Sequence, residues 1–191
     1  MILISLGGNL YSDVGSPQQT LSAALTALPR FGVTPVAISP WFESDAWPDP
    51  AEPAYVNAAA IVSSPKPASE ILAILHRVEW LFGRRRRVRW EPRPIDLDLL
   101  DYHGKIVGDP ASDSGLVLPH PRAHERAFVL VPLLAVAPDW VHPRLGLRGD
   151  ALLAGLPRPW GVRPLDRADT AKPRSPGKGT PGDLMEAQEG R

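Results

Sequence analysis

The chain has 191 residues, of which 43% are hydrophobic, and its 21 basic side chains balance 21 acidic ones. This length and composition predict one domain with a buried core, and the zero net charge excludes a whole-protein field that attracts nucleic acid or a membrane surface. The sequence contains no cysteine, which excludes disulfides, thiolate catalysis and cysteine-ligated zinc and fits a reducing compartment.

The first two predicted elements are a strand and a helix. Residues 2–6 form a short apolar run, interrupted only by Ser5, and precede the sequence GGN, which is typical of a buried strand followed by a loop. This run is too short for a signal peptide or a membrane span, so we expect a cytoplasmic protein. The sequence SPQQ at residues 16–19 has the order of a helix cap with Pro at the first helical position. Apolar residues then recur at helical spacing up to Pro29.

The next part of the chain predicts two strands joined by a Pro-rich loop. Residues 33–42 favour a strand at a sheet edge, because their two prolines cannot donate main-chain hydrogen bonds. Residues 43–54 are polar and Pro-rich and are expected to form a surface loop. Tyr55–Ser63 alternates in the manner of a strand and carries Asn57 on the same face as Tyr55.

A helix and a strand are predicted on either side of an Arg-rich loop. Residues 69–82 carry apolar side chains at helical spacing, and Gly83 supplies a C-terminal stop. Residues 95–102 alternate as a strand, with Asp96 and Asp98 on one face and apolar side chains on the other.

The C-terminal part predicts one further element and a tail. Residues 104–114 form a turn-rich link, and residues 127–137 are compatible with a helix or a strand, although Pro132 favours a helix starting nearby. Residues 1–165 are expected to form the domain. Residues 166–191 have too few apolar side chains to offset their ordering entropy, so we expect a disordered tail. Strands interspersed with helices predict an α/β or α+β sandwich.

Asp96 and Asp98 are the first candidates for chemistry. Two residues apart on a strand, their carboxylates project from the same face with main chains roughly 6.5 Å apart, so both can reach the same cations. Magnesium uses few protein carboxylates and completes its shell with water and substrate phosphates, which suits such a pair. The alternative is an edge strand that shows its polar face to solvent.

An arginine run lies immediately before this pair. Guanidinium groups match phosphate oxygens in pairs of hydrogen bonds, although a solvated loop or an RNA-binding patch would also carry such a run. Carboxylates that hold cations beside arginines that hold anions are the two halves of a metal-triphosphate site. The sequence has neither a P-loop nor a dinucleotide-binding glycine motif. The six arginines are Arg84, Arg85, Arg86, Arg87, Arg89 and Arg93.

Several motifs together carry a family resemblance. The string RWEPRPIDLDLL, preceded by VEWLFGRRRR and followed by LPHPRAHERAFVLVPLLAVAPDW, resembles the family of 6-hydroxymethyl-7,8-dihydropterin pyrophosphokinases. SLGGN and AYVNAAA match the same family, in order, from about residue 2 to residue 165. The resemblance implies an α+β fold, a three-layer, ferredoxin-like αβα sandwich with a mainly antiparallel sheet. It also implies transfer of diphosphate from ATP to the pterin with two Mg²⁺ ions. We expect a monofunctional monomer that binds neither nucleic acid nor a membrane.

The resemblance assigns roles by position. Asp96 and Asp98 would be metal ligands, Arg84 and Arg93 catalytic, and Glu79 a helix carboxylate near the arginines. The residues assigned to ATP are Arg86, Arg89, Leu99, His120 and Arg126. The residues assigned to the pterin are Ser44, Trp47, Tyr55, Asn57, Trp90 and Phe128.

Four positions depart from the family pattern, and two other functions remain open. Gly8 stands where Ser is common, Asp45 where Pro is, His76 where Gln is, and Glu91 where Gly often follows the loop Trp. These departures bear on loop geometry and affinity. One alternative is another Mg-nucleotide transferase with a different acceptor. The other is an RNA-binding module that uses the Arg-rich loop and exposed Trp side chains, which the zero net charge opposes.

Overall fold

The computed structural model describes residues 1–46, 51–84, 92–110, 115–158 and 161–165. These residues contain six strands, four α-helices and two short 3₁₀ helices. The elements in chain order are β1 (Ile2–Gly8), α1 (Pro17–Ala27), a 3₁₀ helix (Leu28–Phe31), β2 (Thr34–Ile38), β3 (Phe42–Ser44), β4 (Tyr55–Ser63), α2 (Ala68–Leu81), β5 (Asp96–Tyr102), a second 3₁₀ helix (Ala123–Glu125), α3 (Ala127–Val136), α4 (Gly149–Ala154) and β6 (Val162–Pro164).

The strands form one antiparallel sheet in the order β5-β1-β4-β3-β6, and β2 also pairs with β4. The register places Gly7 of β1 opposite Asn57 of β4 on one side and opposite Asp96 of β5 on the other. Ser5 likewise lies opposite Asp98. Because cross-strand partners share a face of a sheet, these positions all project from the same side.

Helices cover both faces of the sheet. On one face, strand residues such as Ile4 and Leu97 join α1 and α2 in a buried cluster. On the other, Leu3, Ala59 and Leu100 join α3, α4 and Trp140. The expected three-layer αβα sandwich with an antiparallel, ferredoxin-like sheet is therefore confirmed.

The helix signals in the sequence act as predicted. Ser16 and Gln19 form a capping box, in which Ser16 Oγ accepts from Gln19 N at 3.3 Å and Gln19 Oε1 accepts from Ser16 N at 2.8 Å. After α2 the chain turns at Gly83 with φ of +91°, a conformation that glycine adopts at low cost. The apolar segment around Pro132 is a helix, α3, and not a strand.

Two expectations for the middle of the chain are wrong. The strand expected at residues 33–42 is split into β2 and β3, and β3 includes Glu43 and Ser44, which were assigned to a loop. The split falls at Ser39 and Pro40, because Pro40 has no N–H to donate to the neighbouring strand. At Ser39 a side-chain atom enters the pairing, since Ser39 Oγ accepts from Ala59 N at 3.0 Å. The short elements α4 and β6 were not predicted.

Among the described residues, no helix is long and apolar enough to cross a membrane. The tail expected to be disordered, 166–191, lies outside the described residues.

Candidate active site

A pocket of about 560 Å³ opens where β1 and β3 end, β4 and β5 begin, and α3 starts. It lies on the α3 side of the sheet, because the strand alternation directs Ser5, Gly7, Asn57, Asp96 and Asp98 to that face. Eight residues assigned to a site from the sequence line it: Ser44, Tyr55, Asn57, Arg93, Asp96, Asp98, Arg126 and Phe128.

Asp96 is the centre of an ion-pair network. Its Oδ1 accepts from Arg84 Nη1, and its Oδ2 lies 2.6 Å from Arg93 Nη2. Arg84 Nη1 also pairs with Glu79, a carboxylate on α2 that is only 2% exposed and accepts from Leu97 N at 2.8 Å. Burial alone would lower the pKa of Arg84, but Asp96 and Glu79 raise it overall, so this guanidinium stays charged. The network joins the end of α2 to the start of β5.

Asp98 has a strongly raised pKa. Burial, followed by the negative charges of Asp96 and Glu79, raises its pKa to about 7. A cation close to Asp98 would relieve both effects, and carboxylate oxygens are ligands that Mg²⁺ prefers. In the described part of the chain, no group of three or more His, Cys, Asp or Glu side chains could hold a metal. A bound Mg²⁺ would therefore need water or substrate oxygens in addition to these two carboxylates.

Arg93 is held at both its main chain and its side chain. Its N donates to Asn9 Oδ1 at 2.9 Å, and its O accepts from Asn9 N at 3.0 Å. The guanidinium lies 5.9 Å from the centre of the Tyr55 ring, within the range of a cation–π contact. Arg93 Nε is buried and has no hydrogen-bond partner in the described structure. The N–H of Arg93 Nε is therefore an unused hydrogen-bond donor of a residue that lines the pocket.

Asn57 has a fixed side-chain amide. It is 4% exposed, and its Nδ2 donates to Ser44 Oγ at 2.9 Å and to Tyr55 O at 3.3 Å. These bonds join β4 to β3 at the pocket wall. Because the amide donors are engaged by the protein, Asn57 is pre-oriented, as a residue that recognises a polar ring edge needs to be.

Phe128 and Arg126 form the α3 side of the pocket. Phe128 is 38% exposed at the start of α3, and the Arg126 guanidinium lies 5.7 Å from its ring centre. Burial, with the nearby charge of Arg122, lowers the pKa of Arg126, while Asp98 opposes this shift. Both side chains are thus held at the mouth of the site by their own contacts.

Among the described residues, three that were assigned to the site do not line the pocket: Arg84, which reaches it through its pair with Asp96, Leu99 and His120. Leu99 is 3% exposed in the cluster under α1 and α2, because its side chain alternates with Asp98, so only its main chain is left for an ATP contact. His120 donates its main-chain N–H to Leu100 O at 2.9 Å. Burial, followed by the charge of Arg126, lowers the pKa of His120 to about 4, so its imidazole is neutral at pH 7.

Four assigned residues, Trp47, Arg86, Arg89 and Trp90, lie outside the described residues. The sequence did not single out Arg122 and Glu125, which line the pocket, or Asn9, which bonds to the main chain of Arg93. Asn9 is 84 residues from its partner Arg93, so no local spacing links the two. The one signal was its place directly after the two glycines of the SLGGN motif, which were expected to begin a loop but form the end of β1.

The fold and the pocket define a class: a ferredoxin-like α+β protein whose sheet edge presents paired carboxylates and guanidinium groups to a ligand. The chain belongs to the 7,8-dihydro-6-hydroxymethylpterin-pyrophosphokinase (HPPK) family, whose model matches residues 3–138. This finding agrees with the motif resemblance.

Individual relatives support the family. A 2-amino-4-hydroxy-6-hydroxymethyldihydropteridine pyrophosphokinase of Synechocystis sp. is 37% identical over 75% of this chain and 70% of its own length. The protein of the same name from Pseudomonas aeruginosa is 35% identical over 82% of this chain and 91% of its own. Each covers more than two thirds of both chains.

A solved structure supports the fold. The Plasmodium falciparum HPPK-DHPS crystal structure with pteroate matches 80% of this chain with a TM-score of 0.59. At 12% identity this likeness concerns the fold alone, and the chain spans 43% of the length of that protein.

Proposed function

We propose that this chain transfers the diphosphate of ATP to the hydroxymethyl group of 6-hydroxymethyl-7,8-dihydropterin, giving AMP and the pterin diphosphate in folate biosynthesis. Membership of the HPPK family supports this activity. The observation that carries it in the structure is the convergence of Asp96, Asp98, Arg84 and Arg93 at the start of β5, beside the pocket. Such a site combines groups for cations and groups for phosphate oxygens.

Asp96 and Asp98 are proposed as ligands of two Mg²⁺ ions. The raised pKa of Asp98 and its place beside Asp96 support this role, since two neighbouring carboxylates in a buried site favour a bound cation. When bound, Mg²⁺ would supply neutralisation of phosphate charge. For the two carboxylates to bind the metal, Asp98 must lose its proton. Asp96 must also share its oxygens between the metal and its arginine partners, Arg84 and Arg93.

Arg84 and Arg93 are proposed to stabilise charge during transfer. The pterin hydroxyl oxygen attacks the β-phosphorus, the bond from that phosphorus to the oxygen bridging to the α-phosphate breaks, and AMP leaves with the electron pair. The hydroxyl proton is released, and none of the residues named is required to remove it. Glu79 and Asp96 anchor the two guanidinium groups, which are thereby pre-positioned for the negative charge that develops on the phosphate oxygens in the transition state. Such pre-positioned charge stabilisation is the main contribution that a protein makes to this type of reaction.

The remaining assignments concern binding. On the ATP side we propose Arg126 and His120, the main chain of Leu99, and Arg86 and Arg89 of the Arg-rich loop. On the pterin side we propose Asn57 for the polar ring edge, Tyr55 and Phe128 for the ring faces, and Ser44, Trp47 and Trp90 nearby. Support comes from the pocket, where Tyr55, Asn57 and Phe128 lie together.

We also propose that residues 1–165 are the catalytic domain of a cytoplasmic monomer that binds neither nucleic acid nor a membrane. The zero net charge supports the last two points.

The test is product analysis with ATP, Mg²⁺ and the reduced pterin. Formation of AMP and the pterin diphosphate in equal amounts is expected. ADP in place of AMP would identify a phosphotransferase, and no product with pterin would favour a transferase with another acceptor. Filter binding to RNA across a salt series tests the Arg-rich loop as a nucleic-acid site, and we expect no salt-dependent retention.

A further inference from the structure

Asn9 joins the loop before β4 to the loop before β5. It follows β1 and is 4% exposed. Its side-chain Oδ1 accepts from Arg93 N at 2.9 Å, and its Nδ2 donates to Pro53 O at 3.1 Å. Its main-chain N donates to Arg93 O at 3.0 Å. Both main-chain polar atoms of Arg93 are therefore bonded to Asn9.

Gly8 makes this arrangement sterically possible. A Cβ added at Gly8 would lie 2.4 Å from Pro94 O, a distance that main-chain and side-chain atoms do not tolerate. The residue after Arg93 thus lies against the end of β1 where there is no side chain. The main chain of Pro94 occupies the space that a side chain at residue 8 would need, so glycine fits this position.

The two loops carry residues that meet in the pocket. Pro53 lies two residues before Tyr55, and the Arg93 guanidinium lies 5.9 Å from the Tyr55 ring and 2.6 Å from Asp96. Asn9 therefore holds the main chain on both sides of the contact between Arg93 and Tyr55. The strands do not need Asn9 for this purpose, because β1 already pairs with β4 and β5 along its length.

We propose that Asn9 is a positioning residue for diphosphate transfer, which fixes Arg93 through Oδ1 and the loop before Tyr55 through Nδ2. This inference rests on the proposed function. Asn9 touches neither substrate in this role. It sets where Arg93, on the phosphate side, stands relative to Tyr55, on the pterin side.

The two ends of the amide allow the two links to be separated. Asn9→Ala removes both. Asn9→Asp keeps an oxygen that can accept from Arg93 N but replaces the donor to Pro53 O with a second acceptor. A purely structural amide would show the same kinetic defect in both variants, scaled by the loss of stability.

We expect Asn9→Ala to lower kcat by about 10- to 100-fold, because a displacement of about 1 Å in a positioning group costs on this order. We expect Asn9→Asp to keep kcat within about 3-fold of the parent while raising KM for the pterin by about 5-fold or more. Ser64→Ala is the matched control: it removes a 2.7 Å side-chain bond to Gly32 O beyond the end of β4 farthest from Tyr55, and its kinetics should equal those of the parent.

The parent protein in the same assay separates the two proposals. If the parent forms no AMP, the proposed function fails. If the parent is active and Asn9→Ala keeps its kcat, or Asn9→Asp loses as much kcat as Asn9→Ala, the positioning role is overturned. Should Asn9→Ala not fold, Asn9→Asp decides: kcat retained with a raised pterin KM supports the role, and any other kinetic pattern overturns it.

Discussion

Arg93 and Asp96 form an ion pair, with Nη2 2.6 Å from Oδ2, across three residues at the beginning of β5. Both side chains line the pocket and are only partly exposed. The pair therefore holds the Arg93 guanidinium at the pocket wall, where its unpartnered Nε is buried.

Replacing Arg93 should affect the reaction more than binding. Arg93→Ala should lower kcat by about 100-fold or more, since one pre-positioned charge donor contributes on this order to the transition state. The Kd of a nonhydrolysable ATP analogue, measured by calorimetry, should change by only a few-fold. Arg148→Ala, at an exposed pair with Asp150, is the control and should leave both unchanged. Retained kcat with weakened nucleotide binding alone would contradict the role.

Asp98 offers a test of the metal assignment. Asp98→Asn should abolish turnover, by about 1,000-fold or more, since metal charge stabilisation contributes several kcal/mol. Its thermal midpoint of unfolding should stay at or above that of the parent at pH 8, because the variant removes a carboxylate that burial disfavours. Asp96→Asn should lose activity as well. Near-normal rates in either variant would contradict the metal site, and Asp139→Asn, on an exposed side chain, controls for charge.

Arg84 should matter for stability in a way that Arg93 does not. Arg84→Ala removes the ion pair to Glu79, a carboxylate that is 2% exposed, and we expect a loss on the order of 3 kcal/mol in the free energy of unfolding because breaking a buried pair leaves a poorly solvated charge. Urea denaturation at pH 8 measures this loss. The double variant Arg84→Ala/Glu79→Gln should recover part of the lost free energy of unfolding, because it also removes the buried charge. A loss below about 1 kcal/mol would show that the pair contributes no more than a surface pair.

His142 should make the fold sensitive to acid. It is 2% exposed, its ring contacts those of His124 and Trp140, and its Nδ1 accepts from Leu145 N at 3.2 Å. Burial, followed by the charge of His124, lowers its pKa below the usual 6.5, against a smaller opposing effect of Asp101. The folded protein then binds fewer protons than the unfolded chain, so the stability that His142 provides is present above pH 6.5 and is lost as the pH falls below it.

The corresponding experiment compares urea denaturation at about pH 7.5 and about pH 5, a range that spans this titration. The contribution of His142 to the free energy of unfolding should fall between the two, whereas proton uptake by folded Asp98, whose pKa is raised to about 7, acts in the opposite direction. The parent is therefore compared with His142→Asn, which keeps an acceptor for Leu145 N and should show a smaller fall, or a larger gain, than the parent. His76→Gln, at an exposed position of α2, should show the same change as the parent. A change in His142→Asn equal to that of the parent would assign the pH dependence to other groups.

Local patterns in the sequence predict the parts of this fold that are stabilised locally. The capping box of α1, the alternation of Tyr55–Ser63 and the Asp96/Asp98 face of β5 all depend on residues within a few positions of one another. β3 and β6 could not be found in this way, because Ser44 pairs with Val162 across most of the chain. A three-residue strand has too little pattern to identify without its partner.

The candidate site shows the same division. The Asp pair was found from its spacing, and the structure places Asp96 with Arg84 as the proximity of carboxylates and arginines predicts. Strand alternation also places the side chain of Leu99 on the face of β5 away from Asp98, and the structure buries it there in the core. The bonds of Asn9 to Arg93 and Pro53 depend on tertiary structure alone.

The position of Gly7 between Asn57 and Asp96 has a consequence for how this protein can vary. Asn57, proposed for the pterin, lies on β4, and Asp96, proposed for the metal, lies on β5. Each of these strands is about 4.8 Å from β1, which lies between them. Inserting or deleting a single residue in β1 would turn its whole pocket face toward α1 and α2 and would break the alignment with both neighbours at once. Loops outside the sheet are free of this constraint. The number of residues in β1, in contrast, is fixed by its register with both neighbouring strands.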